Sequence, residues 1–275
     1  QEAQQVIAEH VAMSHLQKFF KEDDAFVKAV ASNAAQLQDD GHSFPITRQN
    51  TERLIRLSLY HPVIYCDDSG SMTLDEPRRR WDLQRDAVHR IASITTRVVP
   101  PQYGVGLRFI NAQWAKRDNI PVSDVLHAVD RVSPSGGTAL GATLKSHILV
   151  PLVYDILRSG RILERPLLIC VITDGCPDPD DKPTFENAIL ECRQLLVDAG
   201  YEPTSVRFCV NQIGGDDYST GFLDRLRANP SIKDVVYCTT ERLDEKYRQF
   251  RENGRQLDEW LLRMLSEPIL HHAGH

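Results

Sequence analysis

Val63-Ile64-Tyr65-Cys66-Asp67-Asp68-Ser69-Gly70-Ser71-Met72 is the stretch on which the reading of this 275-residue chain turns. Its apolar, partly β-branched first half reads as a buried strand. The acid and hydroxyl residues that follow read as the loop leaving its carboxyl end, the edge of an open α/β sheet where ligands bind. Asp67, Ser69 and Ser71 place an oxygen at every second position, so a curling loop can aim all three at one point. Oxygen donors of this hardness suit Mg²⁺, Ca²⁺ or Mn²⁺ rather than zinc or copper. Ser- and Asp-rich turns also form simply to satisfy backbone groups, so the segment alone does not decide its role.

Two further stretches add to it. A second apolar strand, Leu167 to Ile172, runs into Thr173-Asp174-Gly175, and between the two strands lies the loop Ser133-Pro134-Ser135-Gly136-Gly137-Thr138. Asp-x-Ser-x-Ser, then Gly-Gly-Thr, then Thr-Asp-Gly, in this order, resembles the metal-ion-dependent adhesion site (MIDAS) of the von Willebrand factor A (VWFA) domain family, with Asp67, Ser69, Ser71, Thr138 and Asp174 at the five ligand positions. The resemblance covers about residues 62–266. It implies a Rossmann-like α/β fold: a mostly parallel central sheet with one antiparallel edge strand and helices on both faces. It also implies a resident Mg²⁺ (or Ca²⁺ or Mn²⁺) held by Ser69, Ser71 and Thr138, with Asp67 and Asp174 acting directly or through water. An ion held mainly by neutral oxygens keeps much of its charge, so its open position attracts a Glu or Asp carboxylate of a partner protein. Family members with a sliding last helix couple that movement to the threonine loop, and residues 255–266 are the candidate element here. Asp75 falls where some relatives bind a second ion, but Leu74 occupies the companion position, so no second ion is expected.

Composition sets the outer limits. A hydrophobic share of 41% and a charged share of 25% suit a folded globular chain. A net charge of −6 argues against general nucleic-acid binding. No apolar stretch reads as approaching the roughly 20 residues that span a bilayer, so no membrane partner is expected. The division expected is a helical extension over 1–60, a VWFA-like domain over 61–268 and a tail over 269–275 holding His271, His272 and His275. The extension is expected to pack against the main domain rather than reach for a partner. Cys66, Cys170, Cys209 and Cys238 sit in strand-like runs, where they resemble small buried hydrophobes, and no Cys-x-x-Cys pair occurs. Reduced core thiols and the lack of an Asn-x-Ser/Thr sequon favour an intracellular (cytoplasmic or nuclear) location.

Local signals predict the element ends. Asp23-Asp24 is expected to cap the second helix, Thr51 the third and Ser123 a short helix reaching Val132. As the resemblance implies, Asn111 to Lys116 is expected to fold back as the antiparallel edge, and Pro151 is expected to kink or restart a helix over 140–157. Gly70 is expected to permit a tight turn, and Gly136-Gly137 to free Thr138. Arg78-Arg79-Arg80 reads as a solvated basic run, Cys176 as an inert loop thiol, and Asp178, Asp180, Asp181, Asp216 and Asp217 as caps of turns and helices.

The function expected is therefore a metal-dependent protein–protein interaction module, assembling or scaffolding an intracellular complex, without catalysis. One alternative is a Mg²⁺-dependent phosphohydrolase. Against it, Ser69 stands where such an enzyme wants a second acid, and no histidine lies in the three motif loops. The other alternative is a structural domain with a non-functional metal site.

Overall fold

The structure is a computed structural model and describes residues 1–21, 23–74, 79–175, 177–178, 181, 183–215 and 217–270. Of the positions singled out above, Asp75, Arg78, Cys176, Asp180, Asp216 and the histidines of the tail lie outside the described residues, as does the side chain of Asp217.

Six strands, β1 (His61–Cys66), β2 (Val105–Phe109), β3 (Arg117–Ile120), β4 (Leu167–Thr173), β5 (Val206–Gln212) and β6 (Val236–Cys238), form one sheet in the order β3-β2-β1-β4-β5-β6. All neighbours pair in parallel except β2 and β3. β4 and β5 are buried along their whole length, which is why both read as nearly continuous apolar runs. Alternation along the strands assigns the two faces. The Tyr65 hydroxyl donates to the Leu140 carbonyl at 2.9 Å on one face, and the Cys209 thiol lies 3.7 Å from the Met264 carbonyl on the other.

Three helices, α1 (Glu2–Met13), α2 (Ala25–Ala35) and α3 (Arg48–Ser58), precede the sheet. Of the two acids expected to cap α2, Asp24 does so, its carboxylate accepting from the Val27 amide. Helix α3 starts earlier than predicted, because Thr47 rather than Thr51 accepts the bond from the Asn50 amide. Helix α4 (Arg80–Thr95) follows the first motif, and α5 (Val122–Asp130) begins after Pro121, so Ser123 lies in its first turn instead of capping it. The antiparallel edge is Arg117–Ile120, not 111–116. Gln113–Ala115 takes a tight 3₁₀ turn that delays the return strand.

Pro151 does not end its helix. From α6 (Leu140–Thr143) the chain widens into π-helical bonding over Leu144–Tyr154 and continues as α7 (Asp155–Arg158). A wider turn accommodates a residue without an N–H and relieves its ring from the carbonyl four residues back. This 19-residue helix, Leu140–Arg158, with a mean hydropathy of 1.3, is long and apolar enough by length and composition to cross a bilayer, contrary to the expectation from sequence. Its Leu144, Ile148, Leu149 and Val153 are nonetheless in the common core, the pattern of a helix packed inside a protein.

Helix α8 (Thr184–Asp198) packs along the α6–α7 segment. After it come α9 (Asp217–Ala228), α10 (Leu243–Gln249) and α11 (Gly254–Leu270), which lies on α3, α4, β5 and β6. The apolar stripe of α11 continues beyond Leu265 to Ile269, itself fully buried. The three N-terminal helices share one hydrophobic core with the sheet through Val6, Ile7, Phe26, Val30, Leu54 and Ile55. Arg165, just before β4, donates to the Ser58 carbonyl at 2.7 Å and the Leu59 carbonyl at 3.3 Å, closing the end of α3.

Candidate metal centre

The strand order runs away from β1 on both sides, so β1 and β4 flank the switch point whose carboxyl edge forms a crevice. Cys66 pairs with Ile172 in register, and the Asp67 amide continues that ladder to the Ile172 carbonyl at 2.9 Å. Asp67 and Thr173-Asp174 therefore emerge side by side.

Asp67 is fixed by its neighbours. One carboxylate oxygen accepts from the Ser69 amide at 2.9 Å and the other from the Thr173 hydroxyl at 2.7 Å, while Gln84 donates to the Asp67 backbone carbonyl. The Ser69 and Ser71 hydroxyl oxygens lie 3.0 Å apart. Burial, and then the nearby Asp174 carboxylate, push Asp67 up to about 6 despite those bonds. Two acids driven together in a buried place are the arrangement a bound cation relieves.

Thr138 enters the arrangement through its backbone. Its amide donates to Asp178 at 3.0 Å, and its carbonyl accepts from the Asp178 amide. Its loop is tied to the first motif by Ser135 N–H to the Asp68 carbonyl (2.7 Å) and Gly70 N–H to the Gly136 carbonyl (3.1 Å). Gly136 needs its φ of +89°, and a Cβ there would meet the Asn111 side chain at 2.8 Å. Gly70 carries no such demand: a Cβ there would touch only the Gly136 carbonyl at an ordinary 3.7 Å, so the loop turns through the 3₁₀ segment Gly70–Thr73 and not through a glycine conformation.

The structure thus links Asp67 to Ser69 and Ser69 to Ser71, sets Asp174 beside Asp67, and stitches the Thr138 loop to the same turn. It also corrects one reading. Arg80 is not part of a solvated basic run: it is 8% exposed, and its guanidinium meets Asp174 at 3.1 Å. The other oxygen of Asp174, Oδ1, is buried with no hydrogen-bond partner among the described residues. Asp68, passed over as a spacer, accepts from the Asn111 and Ala112 amides at 2.7 Å each and so fastens the end of β2 to the motif. Asp178 and Asp181 act as caps, as expected. Asp181 accepts from the Gly141 and Ala142 amides at the start of α6.

Among the described residues no three His, Cys, Asp or Glu side chains gather as a metal cluster. The donors here are two carboxylates and three hydroxyl side chains, a set that fits a hard, partly hydrated cation such as Mg²⁺ and not zinc. The unsatisfied Asp174 Oδ1 and the paired serine hydroxyls are the features that fit such an ion.

No family model and no curated protein matches this chain in sequence. Among solved structures, one that matches is proximal thread matrix protein 1 from the mussel byssus, determined with a zinc-occupied MIDAS motif. It is 16% identical, with a TM-score of 0.41, over 78% of this chain and 52% of that one. This chain spans about half the length of that protein.

Proposed function

We propose that this chain is a divalent-metal-dependent protein-binding module, in which Asp67, Ser69, Ser71, Thr138 and Asp174 hold Mg²⁺ and the ion's open position takes a Glu or Asp carboxylate from a partner. The observation that carries the reading is the meeting, at the carboxyl ends of β1 and β4, of two hydroxyls 3.0 Å apart with two buried carboxylates, of which Asp174 keeps one oxygen without a hydrogen-bond partner among the described residues. Bound there, the ion supplies a Lewis-acidic position for an acidic side chain. The chain's own residues orient the donors: Thr173 and the Ser69 amide fix Asp67, and Asp178 fixes the Thr138 loop.

No catalysis belongs to this reading. A scaffolding or assembly role inside the cell fits it, supported by the burial of Cys66, Cys170, Cys192, Cys209 and Cys238 as free thiols. The test is a titration of EDTA-stripped protein with Mg²⁺ and Mn²⁺, followed by a pull-down in the presence or absence of Mg²⁺. Wild type is compared with Asp67→Ala/Ser69→Ala. Saturable binding and a set of partners that both vanish in the variant are expected. Metal binding that raises thermal stability while no Mg²⁺-dependent partner is recovered would leave only a structural role for the site, and no binding at all would remove the reading.

A further inference from the structure

Arg80 is the one feature of the site that its motif does not account for. It opens α4, where a cation in the first turn works against the helix macrodipole, so its position is not explained by helix stability. It is buried, and it reaches Asp174 through a single contact, Nη1 to Oδ2 at 3.1 Å. Arginine–carboxylate pairs are frequently bidentate, with the fork on both oxygens. Here Arg80 Nε and Asp174 Oδ1 are both buried and without hydrogen-bond partners among the described residues. The Gln84 Oε1 and Gln212 Nε2 atoms are orphaned in the same way, one on α4 four residues beyond Arg80 and the other at the end of β5. The chain also makes room for the guanidinium: Gly214 has φ +62°, and a Cβ there would lie 2.3 Å from Arg80 Nε.

We infer that Arg80 is an internal counter-cation that tunes the site. It neutralises Asp174 through one oxygen, leaves the other free, and thereby weakens the hold on a divalent ion. This rests on the reading of the site as a cation site. Without Arg80 the crevice would present the charge of two carboxylates. With it, one of them is already compensated, so the crevice remains stable while empty and attracts the ion less. An ion that does bind is correspondingly less neutralised by the protein and draws an external carboxylate harder.

The experiment measures Mn²⁺ binding calorimetrically to the EDTA-stripped full chain, in wild type, Arg80→Met, Arg80→Gln and Arg80→Lys, with melting curves in EDTA and in Mn²⁺. Removal of the positive charge that pairs with Asp174 at 3.1 Å is expected to tighten Mn²⁺ binding by about tenfold in the Met and Gln variants. The Lys variant, which keeps the charge, should stay near wild type. In EDTA the neutral variants should melt below wild type, and Mn²⁺ should raise their melting temperature by more than it raises that of wild type. A residue that merely supports the fold would instead lower metal affinity together with stability. If wild type binds Mn²⁺ and the neutral variants bind equally or more weakly, the inference is overturned and the site reading stands. If no form binds Mn²⁺, the site reading falls and the inference with it. Should neither neutral variant fold even with Mn²⁺ present, the ion pair is structural and the inference is likewise overturned.

Discussion

At the scale of single residues, the site depends as much on its supports as on its donors. Asp68 accepts from two backbone amides just past the end of β2 that would lose this partner without it, so Asp68→Ala is expected to cost about 1–3 kcal/mol in urea unfolding, with Asp68→Asn intermediate. Spacing within the sequence did not reveal this, because adjacent acids look alike until the strand register places one on each side of the chain. The place of Arg80 was legible in the sequence. Arg80, Gln84, Ala87 and Ile91 follow one helical stripe, and all are buried, so periodicity already put Arg80 on the inner face; the run of three arginines obscured it. Far from the site, His10 on α1 is held down to about 3 by burial, with Arg207 and Arg56 adding to the effect. A base with a depressed folded value is protonated first in the unfolded chain, so its contribution is complete above pH 6.5 and declines as the pH falls from there toward about 3. From pH 7 to pH 5 this one imidazole is expected to withdraw about 2 kcal/mol. Comparison of the pH slope of stability with that of His10→Gln checks it: the variant should show a shallower loss over that interval.

At the scale of elements, β1, β4, β5 and β6 were legible as the strand-like runs holding Cys66, Cys170, Cys209 and Cys238, whereas their order in the sheet and several boundaries depended on tertiary context. Thr47 and Thr51 are equivalent as capping residues, and the choice between them falls to Thr47 because Asn50, held by the Pro45 carbonyl and by Glu259 of α11, is already inside the first turn. The edge strand comes later than the resemblance led one to expect because residues 113–115 coil first. Helix α6 begins where the threonine loop ends, and its first free amides are taken by Asp181 from the loop after β4. Asp181→Ala should therefore cost about 0.5–2 kcal/mol of global stability. Because Asp178, three residues earlier, holds the Thr138 amide, the same change is expected to loosen the threonine loop and to speed amide exchange at residues 138–142, measured by hydrogen–deuterium exchange. Normal protection there in the variant would mean that the loop is held from the Gly70 side alone.

At the scale of the whole molecule, the question is whether α11 is free to slide and whether the first three helices are a separable arm. Helix α11 is pinned on both flanks. Asp258 pairs with Arg90 of α4 at 2.7 Å, Glu259 accepts from Asn50 of α3 at 2.7 Å, the Trp260 indole donates to Glu241, and the Pro268 carbonyl accepts from the buried Arg207. A helix held by bonds to α3 and α4 at once cannot translate without breaking the packing of the extension, so the sliding expected from the resemblance meets an obstacle in residues 1–60, the part of the chain that the resemblance did not cover. Trp260→Ala is expected to lower stability by about 3–5 kcal/mol as a buried aromatic truncation, with Mg²⁺ affinity unchanged within twofold. The same bonds make the extension part of the cooperative unit. Leu54 and Ile55 of α3 are buried in the common core, α11 packs on α3, and Arg165, just before β4, grips the end of α3. Trp81, Trp114 and Trp260 all lie outside the extension, so tryptophan fluorescence follows the main domain while far-ultraviolet circular dichroism also counts α1 to α3. Urea transitions followed by the two signals should coincide, and Leu54→Ala should shift both by the same about 2–5 kcal/mol. A helical signal lost well before the fluorescence changes would show that the arm unfolds alone, and α11 would then have on its α3 side the freedom that these contacts deny it.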